Sequence, residues 1–187
     1  MHDASLQYPH SPRNMKGLPL FLDLEASSLN PQHSYPTEVA WSLPDGSIRS
    51  CLVQPVPEWN EWHPRVERLT GISRALIEES GRPPAEIANL LNGDLAGQTV
   101  YCDGGFHDRL WVKRLFQAAK RPCHFSLRDI TQLIPPTMAR DADWPGRLRD
   151  LKQQARRDAG PAHRADRDVA FLIRFYGLVA RHLQVPG

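Results

Sequence analysis

Residues 18–25, LPLFLDLE, form an apolar run of strand length that closes on two acids. Two further stretches, 38–43 and 47–53, flank Pro44-Asp45-Gly46, and this turn chemistry predicts a β-hairpin. The proline- and tryptophan-rich segment QPVPEWNEW, 54–62, reads as a loop, and helical patterns follow over 64–69, 73–79 and 84–95. The last of these opens on Pro84 and meets stop signals at Gly93 and Gly97. A short apolar strand is expected over 99–102, then an Asp-Gly-Gly turn, then a helix over 108–119. That helix places Val112, Phe116 and Ala119 on one face, with Trp111 and Leu115 adjoining. A weak strand over 124–127 leads into a proline-broken region, 131–145, and a charged helix over 147–158 stops at Gly160-Pro161. The final helix, 165–183, carries apolar residues at 169, 172, 173, 176, 180 and 183, the spacing of an amphipathic helix. A hairpin group followed by strand–helix alternation predicts a layered α/β domain with a mixed sheet.

Residues 1–16 are polar, have prolines at 9 and 12 and lack periodicity, which predicts a disordered lead with Met15 as an alternative start. A chain of 187 residues is long enough for one hydrophobic core and short for two, so residues 17–187 are expected to form one domain. A net charge of +2 permits a nucleic-acid partner without requiring one. Cys51, Cys102 and Cys123 are odd in number, far apart and without a CxxC pair, so they are expected to be reduced, half-buried thiols of a cytoplasmic protein. No apolar run approaches the length of a membrane span, which predicts no membrane association.

The chemistry lies in the acids. Residues two apart on a strand point the same way, so Asp23 and Glu25 project together while Leu22 and Leu24 face the other side. Two carboxylates that close repel, and either one protonates or a cation sits between them. Oxygen ligands without nearby cysteine or histidine favour Mg²⁺ or Mn²⁺. A strand end emerging into water, its acids simply solvated, is the alternative. Asp108 falls in the first turn of a predicted helix, where a carboxylate also serves as a cap, and Asp103 precedes two glycines as a turn residue would. His163 follows the Gly160-Pro161 break, and both Asp166 and Asp168 fall in the first turns of the last helix.

Taken together these segments resemble the DEDDh group of 3′→5′ exonucleases, which includes proofreading exonuclease subunits, ribonuclease T and oligoribonuclease. DLEASSL, 23–29, is similar to the group's first motif. HRADRD, 163–168, is similar to its third, His-x-Ala-x-x-Asp, and this alignment selects Asp168 over Asp166. Arg164 stands where the tyrosine-type sister group has its tyrosine. The second motif is irregular: VYCDGGFHDRLW, 100–111, lacks the usual His-Asn and Phe-Asp pairs. Asp108 is chosen because it opens the helix, with Asp103 as the alternative. LTGIS, 69–73, resembles a common connection in the group, and the likeness extends from about residue 18 to 176.

The resemblance implies a ribonuclease H-like, three-layer α/β domain with a five-stranded mixed sheet flanked by helices. It implies that Asp23, Glu25, Asp108 and Asp168 hold two Mg²⁺ or Mn²⁺ ions and that His163 is the general base. The expected products are nucleoside 5′-monophosphates released from single-stranded DNA or RNA 3′ ends. Leu29 is a candidate wedge against the terminal base. The Trp59, Trp62, His63 loop reads either as a stacking surface or as cover for the sheet edge. Arg147, Arg149, Lys152, Arg156, Arg157, Arg164 and Arg167 are candidates for backbone tracking or for a plain solvated face. Many relatives work as dimers, so a homodimer is one expectation, as is recruitment by a polymerase or repair partner; no interface is marked. Two other readings compete: a binding or assembly module that retains the fold without activity, and a ribonuclease H-like endonuclease.

Overall fold

The computed structural model describes residues 17–136 and 142–184, so the expected lead and the alternative start at Met15 lie outside the described residues. Five strands run β1 Leu20–Ala26, β2 Pro36–Ser42, β3 Ile48–Leu52, β4 Thr99–Cys102 and β5 Ser126–Asp129. Among the described residues six α-helices accompany them: α1 Pro64–Thr70, α2 Arg74–Ser80, α3 Pro84–Leu95, α4 Phe106–Ala119, α5 Trp144–Ala159 and α6 Ala165–Gln184. The strand order is β3-β2-β1-β4-β5, with β1–β2 and β2–β3 antiparallel and β1–β4 and β4–β5 parallel. The hairpin turn closes as its residues require. Gly46 takes φ 83° and donates its N–H to the Leu43 carbonyl, while Asp45 accepts from Ser47 N at 2.9 Å.

The alternation of β1 divides the core between two faces. Leu20, Leu22, Leu24 and Ala26 bury against α3 and α4, together with Val39 and Trp41 of β2 and Ile87, Leu91, Trp111 and Leu115 from the helices. Phe21 points the other way, into the layer formed by α5 and α6, where Ala40, Val169, Leu172 and Phe175 surround it. Asp23 and Glu25 continue the Phe21 side of the strand, so they emerge at its carboxyl end on the α6 face. β1 and β4 are parallel neighbours and end at the same edge of the sheet. The crevice outside such carboxyl ends is where open α/β sheets place their ligands.

Two expectations need correction in detail. The buried stripe of α6 runs through Val169, Leu172, Phe175 and Val179, joined by Ala170 and Phe171, while Ile173, Tyr176 and Ala180 are only half-buried. The helix touches both the sheet and α5, so its covered arc is wider than one amphipathic stripe and rotated from it. The Leu183 side chain lies outside the described residues. Cys51 and Cys102 are buried and Cys123 is exposed, so the thiols are not uniformly half-buried; none of the three is in a disulfide.

The tryptophan loop covers a small third cluster. Trp59 stacks on buried Tyr35 at 5.1 Å with an 11° interplanar angle, and Trp62 packs beside Ile72 and Ile77. His63 is exposed and caps α1, its Nδ1 accepting from Arg65 N at 3.2 Å. Among the described residues no helix is long and apolar enough to cross a membrane.

Leu22, fully buried in the central strand, and Leu29, 73% exposed in the loop beyond it, test this division. Leu22→Ala is expected to cost about 3 kcal/mol or more in urea unfolding, because a cavity opens in a rigid layer. Leu29→Ala is expected to change stability by less than about 0.5 kcal/mol.

Candidate active site

Asp23 is the centre of an acid cluster. Its carboxylate lies with those of Asp103 and Asp108 in one group, and with those of Glu25 and Asp168 in a second; within each group, ligand oxygens lie within 4.8 Å of one another. Strand β1 supplies Asp23 and Glu25, the end of β4 supplies Asp103, the first turn of α4 supplies Asp108 and that of α6 supplies Asp168. All four acids singled out in the sequence therefore meet at one edge of the sheet. The choice between Asp103 and Asp108 dissolves in part, because both adjoin Asp23. Asp108 is 1% exposed and Asp103 stands exposed at the rim.

Local chain geometry explains how Asp108 reaches inward. Its Oδ2 accepts the Gly104 N–H at 2.9 Å, closing the turn onto the helix start. A Cβ on Gly104 would stand 2.5 Å from both Asp108 carboxylate oxygens, so a side chain there would expel the carboxylate. Gly105 then takes φ 55°, which glycine reaches without cost. Gly104-Gly105 is thus part of how the site is built, not only a break between strand and helix.

At the α6 end the sequence reading missed the supporting pair. Glu38 of β2 is 2% exposed and is the cross-strand partner of Glu25. Like charges directly opposite destabilise a sheet. Arg164 offsets them: its Nε lies 3.1 Å and its NH2 2.7 Å from the Glu38 oxygens. Glu38 also accepts the Ala165 N–H at 2.9 Å, so a strand side chain caps the first turn of α6. Between these contacts and Asp168, whose Oδ2 accepts the His163 N–H at 2.9 Å, His163 is held at φ 69°. A residue with a Cβ rarely adopts that conformation unless its surroundings impose it. The imidazole is exposed on the loop entering α6. The glutamate at position 38, followed at a distance by an arginine beside the third motif, was the available signal.

A second arginine that the sequence did not single out orders the other wall. Arg114 of α4 donates to the carbonyls of Pro31 and Gln32 at 2.7 and 2.8 Å and to that of Ser34, while Trp111 Nε1 donates to Ser34 Oγ at 3.0 Å. These contacts fasten the loop that follows Leu29 onto α4.

The electrostatics of the cluster follow from packing acids together out of water. Asp23 is pushed well above the usual carboxylate range, first by burial and then by Asp108, Asp168, Glu25 and Asp103. Glu25 is raised to about 8, first by burial, then by Asp168 and Glu38, with Arg164 pulling it down. Burial likewise raises Asp108, offset in part by the Cys102 thiol and the Gly104 N–H. All five groups are oxygen donors, which suits a hard divalent cation. A cation bound here relieves the repulsion that otherwise holds protons on the cluster, so the residues present fit such an ion.

No family model matches the sequence, and no curated protein matches it. Solved structures share the fold. A zinc-bound E. coli exonuclease I–ssDNA complex superposes with a TM-score of 0.62 at 16% identity, over 88% of this chain and 40% of that chain. Exonuclease I of Methylocaldum szegediense gives 0.61 at 20% identity, over 83% and 39%. E. coli exonuclease I in complex with a dT13 oligonucleotide gives 0.63 at 16% identity, over 88% and 42%. The chain spans about two fifths of the length of the exonuclease I chains it matches. At such identities the likeness is one of fold: the five-stranded mixed sheet and flanking helices belong to the ribonuclease H-like type found in exonucleases.

A carboxyl whose folded pKa is raised stabilises the fold fully below its unfolded pKa, and the contribution is lost as pH rises through the folded value. For Glu25 that window runs from its ordinary 4.5 to about 8. Metal-free protein is therefore expected to melt at a higher temperature near about pH 5 than near about pH 8, with Glu25→Gln or Asp108→Asn flattening the slope. Mn²⁺ is expected to restore the loss at the alkaline end. Melting temperatures that rise across this range in chelator would contradict the reading.

Proposed function

We propose that this chain is a metal-dependent 3′→5′ exonuclease that trims single-stranded nucleic acid to nucleoside 5′-monophosphates. The observation that carries the reading is Asp23, one carboxylate shared between two acid groups on a ribonuclease H-like sheet. Asp23, Asp108 and Asp103 line one side, and Asp23, Glu25 and Asp168 the other, a donor set for two Mg²⁺ or Mn²⁺ ions. Such ions, when bound, polarise a phosphodiester and lower the pKa of water at the scissile bond.

The chain's own residues divide the remaining work. His163 is the base: it stands exposed on the loop entering α6, its backbone N–H held by Asp168, and a ring nitrogen can accept a proton. Its role is to take the proton from the attacking water as the bond to the 3′-oxygen breaks. Arg164, clasped by Glu38, holds the loop that carries His163. Leu29, 73% exposed just past β1, is a wedge for the terminal base. The half-buried Trp59 and Trp62 are occupied in packing and play a smaller part in binding. The irregular second motif was the main support for an inactive module, and it puts two carboxylates beside Asp23 instead of none.

The single-stranded DNA in the exonuclease I complexes makes DNA the first substrate to try, with RNA alongside. A 5′-labelled oligonucleotide should shorten from its 3′ end with Mg²⁺ or Mn²⁺ and remain intact in chelator, while a circular strand survives. Asp23→Asn and Asp168→Asn are expected to abolish trimming with the fold retained by circular dichroism, and His163→Ala to slow it by about 10²–10⁴-fold. Undiminished trimming by both aspartate variants, or cleavage of the circle, would sink the proposal.

A further inference from the structure

Arg156 takes no part in the chemistry above, yet it reaches the cleft. It lies in the last turn of α5, and its NH1 is 2.7 Å from Asp168 Oδ1. The guanidinium carbon sits 4.0 Å from the centroid of the Phe171 ring. Phe171 is itself stacked on Phe175 at 5.9 Å and 12°, and one turn earlier on α5 the Lys152 ammonium lies 5.8 Å from the Phe175 centroid. Two cations spaced i, i+4 on α5 thus rest on two aromatics spaced i, i+4 on α6, beside the acids.

The simplest account makes the Arg156–Asp168 contact a brace between α5 and α6. Two features go beyond a brace. First, Arg156 NH1 is buried and makes no hydrogen bond among the described residues, so it meets Asp168 as an ion pair with poor alignment. A donor held off line from its partner is better satisfied by an acceptor that arrives in line. Second, Phe171 holds the guanidinium independently of Asp168, so the charge stays at the cleft when the carboxylate is engaged elsewhere.

The charges at the cleft point the same way. Five carboxylates gather here, and two divalent ions would offset four of their charges, so an incoming phosphodiester, itself an anion, still meets a negative site. Arg156 and Lys152 are the cations on that wall that reverse the balance, and both act on Asp103 at the rim, lowering it against the rise from burial. A planar guanidinium held over an aromatic ring is well suited to grip phosphate oxygens.

We propose that Arg156 is a substrate-binding residue: seated over Phe171, it pairs with Asp168 in the resting site and donates to a non-bridging phosphate oxygen of a bound strand end, with Lys152 as a second cation beside it. This rests on the exonuclease reading and names the residue that receives the anionic backbone in it.

The test uses the full chain as wild type, Arg156→Gln and Arg156→Lys, with Ca²⁺ replacing Mg²⁺ to slow hydrolysis. Fluorescence anisotropy compares a labelled oligothymidylate with a copy whose 3′-terminal linkage is an uncharged methylphosphonate. Arg156→Gln is expected to weaken binding of the normal strand by about tenfold or more, with Arg156→Lys in between. The methylphosphonate strand should bind wild type and Arg156→Gln alike, because its missing charge is the one Arg156 reads. Mn²⁺ titration by calorimetry without nucleic acid should give Arg156→Gln an affinity equal to or tighter than wild type, since a competing cation has gone. Equal affinities of wild type and Arg156→Gln for the normal strand would overturn the assignment and leave the exonuclease reading standing. Loss of Mn²⁺ binding in both variants would make Arg156 a prop for Asp168 and overturn it as well. Wild-type protein that binds Mn²⁺ but neither binds nor trims any strand would sink the exonuclease reading, and this inference with it.

Discussion

Mutual repulsion among the carboxylates at the carboxyl end of β1 is the constraint around which the rest of this molecule is arranged. Asp23 is buried among four other acids, and the two groups it joins keep their oxygens within 4.8 Å. Burial first, and then this crowding, makes the cluster hold protons that free carboxylates would shed, so Asp23, Glu25 and Asp108 are all driven upward. The fold tolerates this because the strain sits at one edge of a sheet whose other residues are fully committed to packing. Leu22 and Leu24 on one face of β1, and Phe21 on the other, anchor the strand that carries the repelling charges.

The same constraint explains the supporting contacts. Glu38 faces Glu25 across the β1–β2 pair and would add to the repulsion, yet Arg164 and the first N–H of α6 occupy its oxygens. One buried glutamate therefore draws the Arg164 cation toward the cluster, caps a helix and fixes the loop bearing His163. Gly104 does the corresponding work at α4, leaving room for the Asp108 carboxylate and donating to it. On the α5 side Arg156 partly neutralises Asp168 from a seat on Phe171. Glu38, Asp108 and Asp168 are thus each met by a donor or a cation, and the site is assembled by tertiary packing more than by any one segment. A preorganised polar site of this kind trades stability for function.

The basic residues around the third motif show why charge runs are hard to interpret from sequence. Seven arginines and lysines lie between positions 147 and 167, and in the structure they do not act as one patch. Arg164 turns to Glu38, Arg156 and Lys152 turn to the aromatics of α6, and Arg147 pairs with Asp143 on the surface. A solvated ion pair of the last kind contributes little, whereas the first two are placed where an anion would have to approach.

By itself the sequence determined which strand carries the first acids and which way they face, because a period of two leaves no freedom once Leu22 and Leu24 are committed to the core. It also determined the hairpin through Pro44-Asp45-Gly46 and the start of α3 at Pro84, which rest on local turn and proline chemistry, whereas α4 begins at Phe106, two residues before the expected 108. Element identity was legible almost throughout, with boundaries shifted by one to a few residues. What only tertiary structure decided was which distant groups meet. Asp103 and Asp108 could not be ranked along the chain, since both have local reasons to be acidic, and the structure sets both beside Asp23. Glu38 reads as an ordinary polar residue in a half-buried strand until Arg164, 126 residues later, closes on it. The buried stripe of α6 shifted for the same reason: hydrophobic periodicity records that a helix has a covered side, while the number and direction of its neighbours depend on how the chain returns on itself.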